Sequence, residues 1–141
     1  MIRRTAVFAS LALATLSLAS SPLRAQYEGW TIPATAKGEK SPFAGSADAV
    51  RKGKSTFQSK CQRCHGPEGI GNGPDADRNK PPADLTAVKA AENPDGVVFY
   101  KIWNGRTSTN KRDMQAFKVQ LPRDEVWQVV EYVKTLRKAA K

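Results

Sequence analysis

Two thiols with two residues between them and an imidazole directly after the second, Cys61-Gln62-Arg63-Cys64-His65, form the attachment signature for a c-type haem. One short helical turn delivers all three groups. The thiols add to the two vinyl groups on one porphyrin edge, and the imidazole then sits beneath the metal. Other chemistries fit the same residues poorly. A structural zinc site takes about four Cys or His ligands, and the chain has only these two cysteines and this one histidine. A thioredoxin-like redox pair needs a strand before it and a helix after it, whereas here a helical pattern precedes and glycines follow. A disulfide across two intervening residues would be strained and would leave His65 without a role.

The elements around this turn must hold it and close over it. Ser46 is a good N-cap, and from there Val50, Gly53, Phe57 and Cys61 recur at spacings of three and four, so the first helix aims its apolar stripe and Cys61 the same way. Gly53 lowers helix propensity relative to Ala, which points to close approach of another helix. Residues 66 to 84 carry Gly66, Gly69, Gly71, Gly73, Pro74, Pro81 and Pro82 and read as one long loop. A phosphate-binding reading of Gly69-Ile70-Gly71-Asn72-Gly73 lacks the strand before and the helix after it, so the glycines point to backbone lying close around a haem. Asn93 is placed to cap a helix with Pro94 at its first position, spanning about 94–104 with Val97, Val98, Phe99, Ile102 and Trp103 before Asn104-Gly105 stops it. The segment from Arg106 to Gln120 is polar and irregular except for Met114 and Phe117. Leu121-Pro122-Arg123-Asp124-Glu125 then opens a last helix striped by Val126, Val129, Val130 and Val133 and flanked by Tyr132 and Leu136. No period-two run appears, so the expected class is all-α.

Residues 1–25 read as a secretory signal peptide: Arg3 and Arg4, an apolar run from Ala6 to Ala19, and Leu23-Arg24-Ala25 before Gln26. The run is shorter than the roughly 20 residues that span a bilayer. Arg3-Arg4 invites the twin-arginine route for folded cargo, but haem is attached after export to an unfolded chain, so the general secretory route to the bacterial periplasm is expected. Taking 25 residues from 141 leaves 116, one domain's worth, and losing three arginines takes the formal charge from +10 to +7. Export removes nucleic acid as a target for that charge. Steering toward an acidic protein surface is the useful reading, with a solvated basic face as the alternative. Residues 26–45 are rich in Pro, Gly, Ser and Lys and read as an extended N-terminal arm before the domain at 46–141.

These residues together resemble a small monohaem cytochrome c of the bacterial periplasmic type. The likeness runs through Gly53-x-x-x-Phe57, Cys61-x-x-Cys64-His65-Gly66, the glycine loop to Pro81-Pro82-Ala83-Asp84-Leu85, Ile102-x-x-Gly105-Arg106, the Met114 loop and the terminal Val/Tyr helix. Trp30-x-x-Pro33 and Ser41-Pro42 resemble leaders of one branch of such proteins. The resemblance implies three to five helices wrapped around one covalently attached haem c per chain, with the N- and C-terminal helices crossing at near right angles and Gly53 and Phe57 meeting Tyr132. It implies His65 as proximal and Met114 as distal iron ligand. Met114 is the only methionine left once Met1 departs with the signal, and its polar neighbours suit a core side chain poorly. It implies a carbonyl of Pro81 or Pro82 against the imidazole, and Trp103 and Arg106 near the haem propionates. One departure stands out: the family usually has Pro after the ligand methionine, and here it is Gln115, which predicts a looser loop.

Two axial ligands leave no open coordination site, so the expected function is one-electron transfer by a carrier that is not itself a catalyst. A thioether opposite an imidazole, in a buried site, predicts a positive potential. The expected protein is a monomeric periplasmic shuttle between a dehydrogenase or quinol-oxidising complex and a terminal oxidase or reductase, with no nucleic-acid partner and no stable membrane insertion. Lys54, Lys60, Arg63, Lys111, Arg112 and Lys118 are candidates to ring the exposed haem edge and meet acidic redox partners. Two alternatives are a haem subunit of a larger oxidoreductase docked through Tyr27, Trp30 and Phe43, and a ligand-binding haem protein with a labile sixth ligand.

Overall fold

The computed structural model describes residues 30–106 and 113–137. The signal segment, Tyr27, Lys111 and Arg112 lie outside the described residues. Among the described residues every regular element is a helix: α1 (Ala34–Gly38), α2 (Ala47–Lys60), α3 (Gln62–His65), α4 (Val88–Ala91), α5 (Asp95–Asn104) and α6 (Arg123–Leu136). The all-α expectation holds, with three longer helices where the periodicity placed them, two short ones between them and one short one ahead of them.

Ser46 starts α2, its hydroxyl accepting a hydrogen bond from the Ala49 amide at 3.2 Å. Asp48 in the first turn and Lys60 in the last complement the helix dipole. The buried face holds Ala49, Gly53 and Phe57, and it packs on α6 at Gly53, where the two backbones touch. One turn further on, the rings of Phe57 and Tyr132 meet with centroids 5.2 Å apart. The valine stripe of α6 is buried as the spacing requires, but the face is wider: Trp127 is buried too, stacked on Phe99 of α5 at 4.1 Å between centroids. Glu131 is only 3% exposed. Lys134 explains it, donating to Glu131 Oε1 and to Asp95 Oδ2 at 3.1 Å each and so tying the end of α6 to the start of α5.

Two local expectations are corrected. Asn93 does not cap α5; Pro94 holds the N-cap position with no side-chain cap, and the Asn93 amide donates backwards to the Ala90 carbonyl at 3.2 Å. Residues 26–45 are not irregular throughout, because 34–38 form α1. A five-residue helix is too short to show a period and has little stability alone. It is held by tertiary contact: the Gly96 amide of α5 donates to the Glu39 carbonyl at 3.1 Å, and Arg123 of α6 forms an ion pair with the Glu39 carboxylate.

Candidate haem site

The Cys-x-x-Cys-His turn grows directly out of α2. The Cys61 amide still donates to the Phe57 carbonyl at 2.8 Å, as in the helix. The Cys61 carbonyl then accepts from both the Cys64 and His65 amides, at 3.1 and 2.9 Å, which closes the single turn that carries all three side chains. A turn this short leaves its last carbonyls without helical partners, and the following loop supplies them. Asp75, Gly73 and Gly71 donate their amides to the carbonyls of Arg63, Cys64 and His65 at 2.8, 3.1 and 2.8 Å. Gly73 is needed for that approach, since a Cβ there would lie 2.6 Å from the Gln62 carbonyl oxygen and overlap that of Arg63. The glycine spacing therefore serves the far end of the turn itself.

Both cysteines are free thiols, Cys64 exposed and Cys61 half-buried. Burial, and then the neighbouring Cys64, push the Cys61 thiol up to about 12. Cys64 is also raised, by burial and by the Asp75 carboxylate, with Arg63 opposing. Burial pulls His65 below the usual imidazole range, against the Ala83 carbonyl, which favours a proton on the ring. The imidazole is thus neutral at pH 7, the form that binds a metal. Its Nδ1 is buried with no protein atom in full hydrogen-bond geometry. The carbonyl set against the ring is Ala83's, where the resemblance pointed to Pro81 or Pro82. Pro82 instead turns its carbonyl against Gly71, and Pro81 lines a loop cavity of about 300 Å³ with Gly73 and Arg78. A backbone acceptor has no side-chain signature, so nothing in the sequence singles out Ala83.

The Met114 segment is strapped to the C-terminal end of α5. Arg106 donates its amide to the Met114 carbonyl at 2.8 Å, Phe117 to that of Ile102 at 3.1 Å and Lys118 to that of Trp103 at 3.1 Å. Met114 and Trp103 are half-buried and pack against the core cluster, as Cys61 also does. Trp103 stacks on Phe99 with centroids 5.6 Å apart, and Arg106 is half-buried. Lys60, Arg63 and Cys64 are exposed at the junction of α2 and α3, with Arg63 paired to Asp75 at 2.7 Å; Lys54 and Lys118 are exposed elsewhere on the surface.

The arrangement fits a haem. Two unpaired thiols stand within one turn, a neutral imidazole is set against the Ala83 carbonyl through one side of its ring, and a thioether borders the apolar cluster that Cys61 also meets. Among the described residues no group of three or more His, Cys, Asp or Glu side chains is placed to hold a bare metal ion, and no helix is long and apolar enough to cross a membrane.

The helical fold and this turn define a small c-type cytochrome. Residues 48–133 match the family described as "Cytochrome C oxidase, cbb3-type, subunit III", and the chain belongs to it. The fold is shared with cytochrome cL from Methylophaga aminisulfidivorans MPT, at 20% identity and a TM-score of 0.52 over 68% of this chain and 58% of that one. It is shared with cytochrome cL from Hyphomicrobium denitrificans, at 18% identity and 0.51 over 75% and 64%. A chain of the reducing HAO-like protein complex of Kuenenia stuttgartiensis is 30% identical, with a TM-score of 0.57 over 69% of this chain and 47% of that one. The chain thus spans about half to two-thirds of these structures' length. No curated protein sequence matches it. The family and the fold make it a haem electron-transfer protein.

Proposed function

We propose that the protein is a soluble periplasmic one-electron carrier with a single haem c held covalently by Cys61 and Cys64. When bound, the haem supplies an iron that cycles between ferric and ferrous states. His65 and Met114 would both hold that iron, and with both in place no position on it would be left for a substrate. The observation that carries it is the single turn presenting Cys61, Cys64 and a neutral, half-buried His65, with the Met114 loop strapped beside the same core. Ala83 orients the imidazole. Trp103 and Arg106, at the C-terminal end of α5, would hold the propionates, and Pro81 and Pro82 would close the loop on the His65 side.

The exposed face at Cys64 is the exit for the electron, flanked by Lys60 and Arg63. Acidic redox partners dock there in weak, fast encounters of the small-interface kind. The test is the rate of reduction of an acidic acceptor protein as ionic strength rises. A basic docking face predicts a steep fall, and a salt-independent rate counts against it.

A second reading has one observation in its favour. The matching family is described as an oxidase subunit, which suits a haem subunit lodged in a larger complex. Recovery of the native protein as a monomer from an unfractionated extract favours the carrier; co-purification in a fixed complex favours the subunit.

A further inference from the structure

The loop after His65 and the loop carrying Met114 are joined by charge. Lys80 Nζ lies 3.3 Å from Asp113 Oδ1, a contact between residues 33 positions apart. Arg106 Nη1 lies 3.9 Å from the same oxygen. The Asp113 side chain is 10% exposed, whereas Lys80 is 55% exposed. Asp113 directly precedes Met114, and Arg106 also holds the Met114 carbonyl through its backbone amide at 2.8 Å.

We infer that Asp113 is a positioning residue that clamps the Met114 loop shut between Arg106 and Lys80, restoring the restraint that the family's proline after the ligand methionine would give and Gln115 does not. The inference rests on Met114 being the sixth ligand. A proline stiffens a loop by removing backbone freedom; the clamp achieves a similar end from outside. The Asp113 carboxylate is the buried end of this contact and the Lys80 ammonium its exposed end, so the Lys80 arm is worth at most about 1 kcal/mol, about fivefold in affinity, as for an ion pair at the surface. Lys80 matters because it belongs to the other loop: the contact fixes the Met114 side of the site relative to the His65 side, which the backbone ties to α5 cannot do. The looseness expected from Gln115 is thereby countered.

The experiment is an imidazole titration of the ferric holoprotein, following the weak near-infrared band of a sulfur-to-iron bond. Imidazole is uncharged when it competes for the iron, so changes in net charge contribute little. Opening of the loop precedes its binding, and its apparent affinity scales with the fraction open. Asp113→Asn, which removes the carboxylate from both partners, is expected to bind imidazole about tenfold more tightly than wild type, and Lys80→Met, which removes only the exposed partner, about three- to fivefold more tightly. Asp48→Asn, which removes the same charge from the outer face of α2, is the control and should match wild type. The exposed Lys80 variant keeps the test open should Asp113→Asn fold poorly. Wild-type imidazole affinity in either clamp variant, or equal tightening in the control, overturns the clamp. Absence of the sulfur band from the wild-type protein overturns the Met114 assignment instead.

Discussion

Gly53 of α2 and Gln128 of α6 touch backbone to backbone: a Cβ on Gly53 would overlap the Gln128 carbonyl and lie 2.9 Å from the Val129 amide nitrogen. Helix axes packed through larger side chains stand about 8–10 Å apart, so this contact draws the two long helices unusually close. It sets where Phe57, one turn on, meets Tyr132, and hence where the cysteine turn leaves α2.

Gly53→Ala is therefore expected to destabilise the holoprotein by about 3 kcal/mol despite the better helix propensity of Ala, because backbone cannot move aside as a side chain can. Thermal unfolding should show a fall on the order of 15 °C. An unchanged or higher midpoint would show that the helices separate without cost.

Met114→Ala should keep the haem attached, since Cys61 and Cys64 are untouched, but open the iron. The reduced variant is expected to bind carbon monoxide at neutral pH, with unchanged migration of the haem-stained band. Persistence of the wild-type axial spectrum would identify another residue as the ligand.

Helices this few and short give a thin apolar core, and a domain of this size buries a smaller share of its surface than a large one. Cys61→Ala combined with Cys64→Ala is expected to leave little folded protein, read as loss of helical circular dichroism and of recovery from the periplasm. Accumulation of a compact, helical apoprotein would contradict this.

Lys101 offers a test by pH. Burial pushes it down to about 8 from an ordinary 10.5, while its ammonium donates to Asn93 Oδ1 at 3.2 Å and lies 5.6 Å from the centre of the Trp30 ring. Between pH 8 and 10.5 the folded chain binds fewer protons here than the unfolded chain, so this group's contribution to stability rises with pH across that window. The charged form is the costly one. Lys101→Met should be more stable than wild type near pH 7, and the gap should close toward pH 10.5 in denaturant titrations. A gap that is absent at pH 7, or constant with pH, would show that the contacts of the ammonium outweigh its burial.

What the sequence made legible was mostly local. Ser46 announces its cap, Gly53 its close approach, and the valines of α6 their face, because each signal sits within a few residues of its effect. Glu131 and Trp127 escaped notice because their burial depends on Lys134, Asp95 and Phe99, partners brought together only by the tertiary fold. Helix α1 is invisible for the same reason, being held by Gly96 and Arg123 from distant elements. At the site, side-chain chemistry marked Cys61, Cys64, His65 and Met114 as candidates, whereas the Ala83 carbonyl and the Lys80 contact with Asp113 leave no mark in sequence. Nor did the spacing of the glycines tell that their amides would satisfy the carbonyls of the cysteine turn.

The central claim, a closed His65 and Met114 pair on a covalent haem, is tested most directly by the absorption spectrum of protein matured in a periplasm, oxidised and then reduced. A near-infrared sulfur-to-ferric-iron band together with no response of the reduced form to carbon monoxide is the predicted result. Absence of that band, with ready carbon monoxide binding at neutral pH, would contradict the account and make the protein one that acts through an open iron.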